Sequence, residues 1–450
     1  MRSTRTMLRL AGAALWLLPA TAAAEAGEPG AEWSSKGELA FESRVFPEPE
    51  LSYTDPRSGT LRPLDPTTED YGVGMAGTAE LGVKSTHWRG KARAFGRADV
   101  VDTERSVLIL EEGWAELRGD WGRLRVGADV VNWSATEAFH PADVINARNV
   151  DSNFERPEKL GEPMVALSIN VGNGSITGYG MPFYTESILP TPHSRLSFAP
   201  GLPERPGRLQ LNSAGNLTDG DFGGQGALLA SQTFGSADIA VHVIHHLDRT
   251  QPVYVFPSLA LLGSVPYGSV LYQTVTQTGM TYQQALGGLL TKLEFAYRYF
   301  HRPTDDHARL LGPLDERDHA QLALGFEYTV NHPAGLDSTF LLEGQSYLGP
   351  QDFRQRRALG LFQNDVLLGY RLAFNDIHNR SLMLLAIGDV ENPGELLASL
   401  SYAQRLSDVW GISGSARLLH APTPDPTRMP TGLEALRRAD QLNLSLTRYF

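Results

Sequence analysis

The sequence contains no cysteine. No disulfide can contribute to its stability, which leaves backbone pairing and packing. No stretch beyond the first residues holds 18 consecutive apolar residues, so no helix of the ordinary spanning type is encoded. Basic residues are short: 39 Lys and Arg face 51 Asp and Glu, a net charge of −12, which argues against a nucleic-acid partner. No Pro- or Ser-rich linker separates independent cores, and the 45 glycines are scattered along the chain. No Gly-x-Ser-x-Gly nucleophile motif occurs. These absences point away from a chain of several soluble domains and toward one large all-β unit.

The amino terminus carries Arg2, Arg5 and Arg9, then an apolar run from Leu10 to Leu18, then small residues through Ala24 and Ala26. That order is expected of a secretory signal peptide over residues 1–26. The apolar run is too short to cross ~30 Å of hydrocarbon as a helix. Loss of three Arg and of Glu25 would leave residues 27–450 with a net charge of −14.

Alternation dominates the rest. Leu293, Phe295, Tyr297 and Tyr299 share one face of a strand, and Lys292, Glu294 and Arg298 share the other. Likewise Leu39, Phe41 and Val45 oppose Glu38, Glu42 and Arg44, and Leu322, Leu324, Phe326 and Tyr328 oppose Gln321 and Glu327. A soluble sandwich would turn the apolar wall inward. A membrane barrel turns it toward lipid and keeps the charges in a wet lumen. Charges recur in mid-strand from residue 37 onward, which favours the barrel.

The pattern predicts eighteen strands (a range of 16–18 fits), near 37–46, 73–84, 88–101, 107–119, 121–131, 163–171, 174–182, 226–234, 237–247, 271–284, 289–300, 318–330, 336–347, 360–374, 379–389, 394–406, 409–419 and 438–450. Short and long connections alternate between them, with short exceptions after 101 and after 389. The expected fold is a single closed antiparallel transmembrane β-barrel over residues 27–450, integral to the outer membrane. An aromatic carboxy-terminus, Phe450, shares the parity of Leu442, Leu444 and Leu446. It resembles the signal used by the barrel-assembly machinery, which with outer-membrane lipids and a small-molecule solute makes up the expected partners. Arg448 falls on the same lipid-facing parity, where an apolar residue is usual, and near a rim it can snorkel.

Residues 126–167 read VGADVVNWSATEAFHPADVINARNVDSNFERPEKLGEPMVAL. With VPYGSVLYQTV at 265–275 and LLTKLEFAYRY at 289–299, this stretch resembles a family of uncharacterised proteobacterial outer-membrane, porin-like proteins. The resemblance implies the fold and the location, and it carries no substrate. Loop 132–162 joins Trp133, Phe139 and Ile145 to Glu137, His140, Asp143, Arg148 and Arg156. Large apolar side chains in a loop want cover, so the loop is expected either to fold inward as a constriction, with Asp143, Arg148 and Arg156 facing wall charges, or to be pinned to the wall for stability alone. Around it, Arg93, Arg97, Arg123, Arg125, Glu294 and Arg298 are expected to line the pore.

The function that follows is a porin-like channel for small solutes, without cofactor, metal or catalytic residues. The alternatives are a surface-binding or structural barrel, a plugged transporter specific for a lipid or hydrophobic substrate, and a barrel hydrolase using Ser134, His140 and Asp143. His242 and His246 share a strand face suited to a metal, yet no third ligand is evident in the sequence.

Overall fold

The computed structural model describes residues 30–48, 52–54, 61–63, 70–151, 158–190, 194–197, 207–218, 222–255, 269–304, 317–333, 335–350, 352–423 and 432–450. The expected signal peptide and Arg156 lie outside them. Eighteen strands make the barrel: β1 (Glu32–Val45), β2 (Tyr71–Lys84), β3 (Trp88–Asp99), β4 (Val107–Gly119), β5 (Gly122–Asp129), β6 (Glu162–Val171), β7 (Gly174–Phe183), β8 (Phe222–Phe234), β9 (Ala237–Leu247), β10 (Ser269–Leu286), β11 (Leu289–Phe300), β12 (His319–Asn331), β13 (Asp337–Leu348), β14 (Asp365–Ala373), β15 (Ser381–Asp389), β16 (Leu396–Arg405), β17 (Trp410–His420) and β18 (Gln441–Tyr449).

Each strand pairs antiparallel with its sequence neighbour, and β18 pairs with β1 to close the ring. The seam runs from Val45 opposite Leu442 to Glu38 opposite Tyr449. Phe450 N then donates to Gly37 O at 2.9 Å. A closed ring leaves no row of unpaired backbone groups facing hydrocarbon.

Side chains sort as the alternation requires. Phe41, Leu81, Leu110, Val126, Leu228, Leu324, Phe340 and Leu418 stand exposed on the outer wall. That apolar belt circles the whole barrel, well beyond the patch size a soluble monomer tolerates. It decides for a membrane barrel and against a sandwich. Trp33, Trp121, Phe234, Tyr328, Trp410 and Phe450 are exposed toward the short-turn end, and Tyr71, Phe183 and Tyr299 toward the other, as in the aromatic girdles of membrane barrels. Arg448 sits on the outer face with its guanidinium 5.7 Å from the Trp410 ring and 5.1 Å from the Phe450 ring. Two girdle aromatics thus accommodate the one cation that broke the pattern.

The connections at one end are short, none longer than seven residues, and those at the other are mostly long. Several strand limits differ from expectation. β1 begins at Glu32, before the expected 37, and β8 begins at Phe222 where 226 was expected. β10 runs 269–286, beyond the expected 271–284; its first residues rise above the ring and pair with Gly207–Leu211 and Val253–Val255. A strand expected from 360 starts at Asp365: helix α1 (Phe353–Leu359) precedes it, and residues 360–364 between the two are irregular, with the Gln363 amide donating to Gly360 O and Leu361 O. Asp352 caps that helix through a reciprocal capping box with Gln355.

Candidate functional site: the lumen and its inward loop

The loop that leaves β5 folds into the barrel. Asn146 ties its two stems together: its amide donates to Asp129 O at 2.8 Å and to Leu160 O at 2.9 Å, and its oxygen accepts from Val131 N at 2.9 Å. Gly161 lets the returning stem lie close, since a Cβ there would come 2.3 Å from Glu111 O. Trp133 and Ile145 then pack on the near wall with Val144, Met164, Ala166, Met181 and Ile244. The Trp133 ring lies 5.7 Å from Tyr179 and 4.8 Å from His242. His242 in turn occupies the slot left by Gly279 of β10, where a Cβ would fall 2.6 Å from the imidazole and 2.5 Å from Phe295 O. Gly279→Ala is therefore expected to displace His242 and loosen the Trp133 seat. The expected loss is about 1–3 kcal/mol, seen as a lower unfolding temperature with a red shift of tryptophan emission.

From Trp133 the chain crosses to the far wall, where two carboxylates hold its backbone. Glu294 of β11 accepts from Ala135 N at 2.6 Å, Thr136 N at 2.9 Å, the Thr136 hydroxyl at 2.7 Å and Ala142 N at 3.1 Å. Glu343 of β13 accepts from Glu137 N at 2.6 Å and Ala138 N at 2.9 Å. Both carboxylates are buried under the loop. Lys292 adds an ion pair to Glu137 at 3.1 Å. Gln277 of β10 donates to Pro141 O at 3.2 Å. Beyond this latch Phe139 is buried near Phe362, ring to ring at 6.3 Å.

The wall under and around the loop divides into three sectors. Strands β1–β5 carry charges that pair with one another within and between strands. Arg97 meets Glu42 at 3.2 Å, Arg93 meets Glu111 at 2.7 Å, and Lys91 meets Glu112 at 2.9 Å. Arg125 reaches Glu116 and Asp129, each at 2.6 Å. A bulge at Arg93/Ala94 turns both Glu111 and Glu112 inward. In the half of β6–β10 nearest the short turns the inward side chains are mostly hydroxyls, amides and small residues, with Leu229 and the single carboxylate Asp238 among them. Strands β13–β17 present Leu341, Leu367, Leu385, Leu397 and Leu419, covered by Phe139 and by Leu196, Leu433 and Leu436 of other loops.

The residues singled out from the sequence are thus placed as follows. Trp133 and Phe139 are buried, each against a different sector, so the loop is both inward and pinned to the wall. Arg93, Arg97 and Arg125 face inward within ion pairs, and Arg123 is exposed nearer the short turns. Glu294 lies beneath the loop as its anchor. Arg298 is also covered: it donates to Gln277 Oε1 and Thr250 Oγ1, each at 2.9 Å. Asp143 and Arg148 do not meet wall charges as expected. Arg148 bonds Asp143 at 3.1 Å and Lys159 reaches it at 2.5 Å, so this charge is neutralised inside the loop. Burial pulls the Lys159 ammonium below its ordinary pKa, and Asp143 opposes that shift.

The hydrolase set does not assemble: the Ser134 hydroxyl donates to Asn132 at 2.8 Å, His140 lies 3.9 Å from Glu294, and no side-chain hydrogen bond joins Ser134, His140 and Asp143, although Asp143 N donates to His140 O at 3.2 Å. His242 bonds Gln277 at 3.1 Å and His246 bonds Leu247 O at 2.9 Å. Among the described residues no group of three or more His, Cys, Asp or Glu is placed to hold a metal. Glu343 as a latch was not anticipated. Its inward parity was legible, but nothing local signals a partner across the lumen.

No protein-family model and no curated protein matches the chain. Among solved structures, Acinetobacter baumannii OccAB4 aligns with a TM-score of 0.51 at 10% identity, covering 94% of this chain and 97% of that one. A BenF-like porin from Pseudomonas fluorescens Pf-5 gives 0.48 at 8% identity over 93% and 98%. Pseudomonas aeruginosa OccK5 gives 0.47 at 12% identity over 94% and 97%. Identities this low speak to architecture alone, and on architecture the chain is a porin-like β-barrel.

Proposed function

We propose that this protein is an outer-membrane channel for small solutes, narrowed by the loop that leaves β5. The observation that carries the reading is the latch: loop backbone held across the lumen by Glu294 and Glu343. A side chain buried only to fasten a loop over an aqueous passage makes sense where the width of that passage matters. Assembly through the Phe450 signal and contact of the outer belt with lipid belong to the same reading. The roles of Glu137, His140, Arg93, Arg97, Arg123 and Arg125 along the passage are part of it too.

Because most of the wall cations are paired with wall carboxylates, the open pore is expected to be only weakly ion-selective. The test is reconstitution of the mature protein in planar bilayers. Discrete steps with a reversal potential near zero in a salt gradient support the reading. A folded barrel that never conducts overturns it. A second reading, a plugged transporter for a lipid or hydrophobic solute, is favoured by the leucine sector of β13–β17 and its loop cover.

A further inference from the structure

On the short-turn side of the loop, the lumen holds a cavity of 340 Å³ against β7–β10. That is the small end of the size range of ligand pockets. Its roof is loop residues Asn132 to Ala135, and its wall includes Ser231, Thr233, Thr281 and Gln283. The lining is rich in hydroxyls and amides, while Asp238 is the one carboxylate and no Lys or Arg contributes. The Asp238 carboxylate already accepts from Thr233 Oγ1 at 2.6 Å. The side chains of Thr281 and Gln283 make no hydrogen bond among the described residues, so they are available to a ligand. The contrast with β1–β5 is chemical: there the inward polar groups are mainly ionic, and most are engaged with one another. Here, Asp238 apart, the polar groups are neutral hydroxyls, amides and the His242 imidazole, and some are unengaged.

Resting on the channel reading above, we propose that this cavity is a subsite for an uncharged, polyhydroxylated solute of about disaccharide size or smaller. Hydroxyl and amide groups exchange hydrogen bonds with sugar hydroxyls in either direction. An anion would meet Asp238 with no cation to offset it. A cation would find one carboxylate, already engaged, and would leave its own hydration largely unreplaced.

Calorimetric titration of the detergent-folded mature barrel with lactose, and separately with the anionic analogue lactobionate, tests this. Lactose is expected to bind saturably, and lactobionate at least about tenfold more weakly. Thr281→Val, nearly the same in shape, is expected to weaken lactose binding by about tenfold, as is Gln283→Leu. Ser231→Arg, which fills the cavity with a charge, should abolish it. Heat-modifiable gel migration establishes that each variant is folded. Absence of lactose binding to folded protein, equal binding of lactobionate, or no effect of both Thr281→Val and Gln283→Leu overturns the proposal. Bilayer conductance is measured in parallel. A barrel that conducts but does not bind lactose sinks the subsite and spares the channel, and a barrel that binds lactose without conducting does the reverse.

Discussion

Replacing Glu294 and Glu343 together by alanine is expected to raise single-channel conductance several-fold while the barrel still assembles. The two carboxylates receive six hydrogen bonds from loop residues 135–142, five from backbone amides and one from the Thr136 hydroxyl. A hydrogen bond to a charged group contributes about 1.5–3 kcal/mol. Losing even ~4 kcal/mol of that total shifts the ratio of docked to free loop by about a thousandfold. Trp133 would still hold the near side, so the released segment should swing toward the long-loop end rather than unfold. Glu294→Gln, which keeps the shape but not the charge, should fall between. If the double variant conducts like the parent, the latch does not set the width of the passage.

The second large effect lies on the opposite surface. Leu324 is 43% exposed at mid-strand on the outer wall, paired with Leu293 of β11. An arginine facing the middle of the bilayer costs about 2–4 kcal/mol. Leu324→Arg is therefore expected to lower the folding free energy in lipid vesicles by about that amount, measured by urea titration with gel migration as the readout. Phe295→Arg should behave alike. Gln321, three residues away and facing inward beside His319 at 3.0 Å, should tolerate alanine at a cost of about 1 kcal/mol or less. Equal sensitivity at the two parities would mean that inside and outside had been exchanged.

Much of the architecture was legible because a membrane barrel leaves its mark in every strand. The same alternation that set Phe295 against Glu294 recurred to Phe450 and fixed the number of strands. What escaped were departures from the period. The bulge facing Arg93/Ala94 puts consecutive Glu111 and Glu112 on one side, and strict alternation can account for only one of the two. Residues 360–364, expected to open a strand, stay irregular because Gln363 turns back to the Gly360 and Leu361 carbonyls, a local bond that the apolar pattern of the following strand does not show. The loop's inward course could be argued from Trp133 and Phe139, since apolar bulk needs cover. Its destination could not. Glu294, Glu343 and the loop meet only after the ring has closed, and the internal pairing of Asp143 with Arg148 and Lys159 depends on a fold-back that no periodicity records.

The seam between β1 and β18 also bears on the order of the chain. Because the last strand hydrogen-bonds to the first as any other neighbours do, nothing in the finished ring marks where the polypeptide begins. The start of β1 and the end of β18 both lie on the short-turn side, Gly37 bonded to Phe450. The barrel is thus a natural candidate for circular permutation. Joining β18 to β1 by a short linker and opening the chain at the turn Gly287–Gly288 would preserve every strand pair, while β10 would become the final strand.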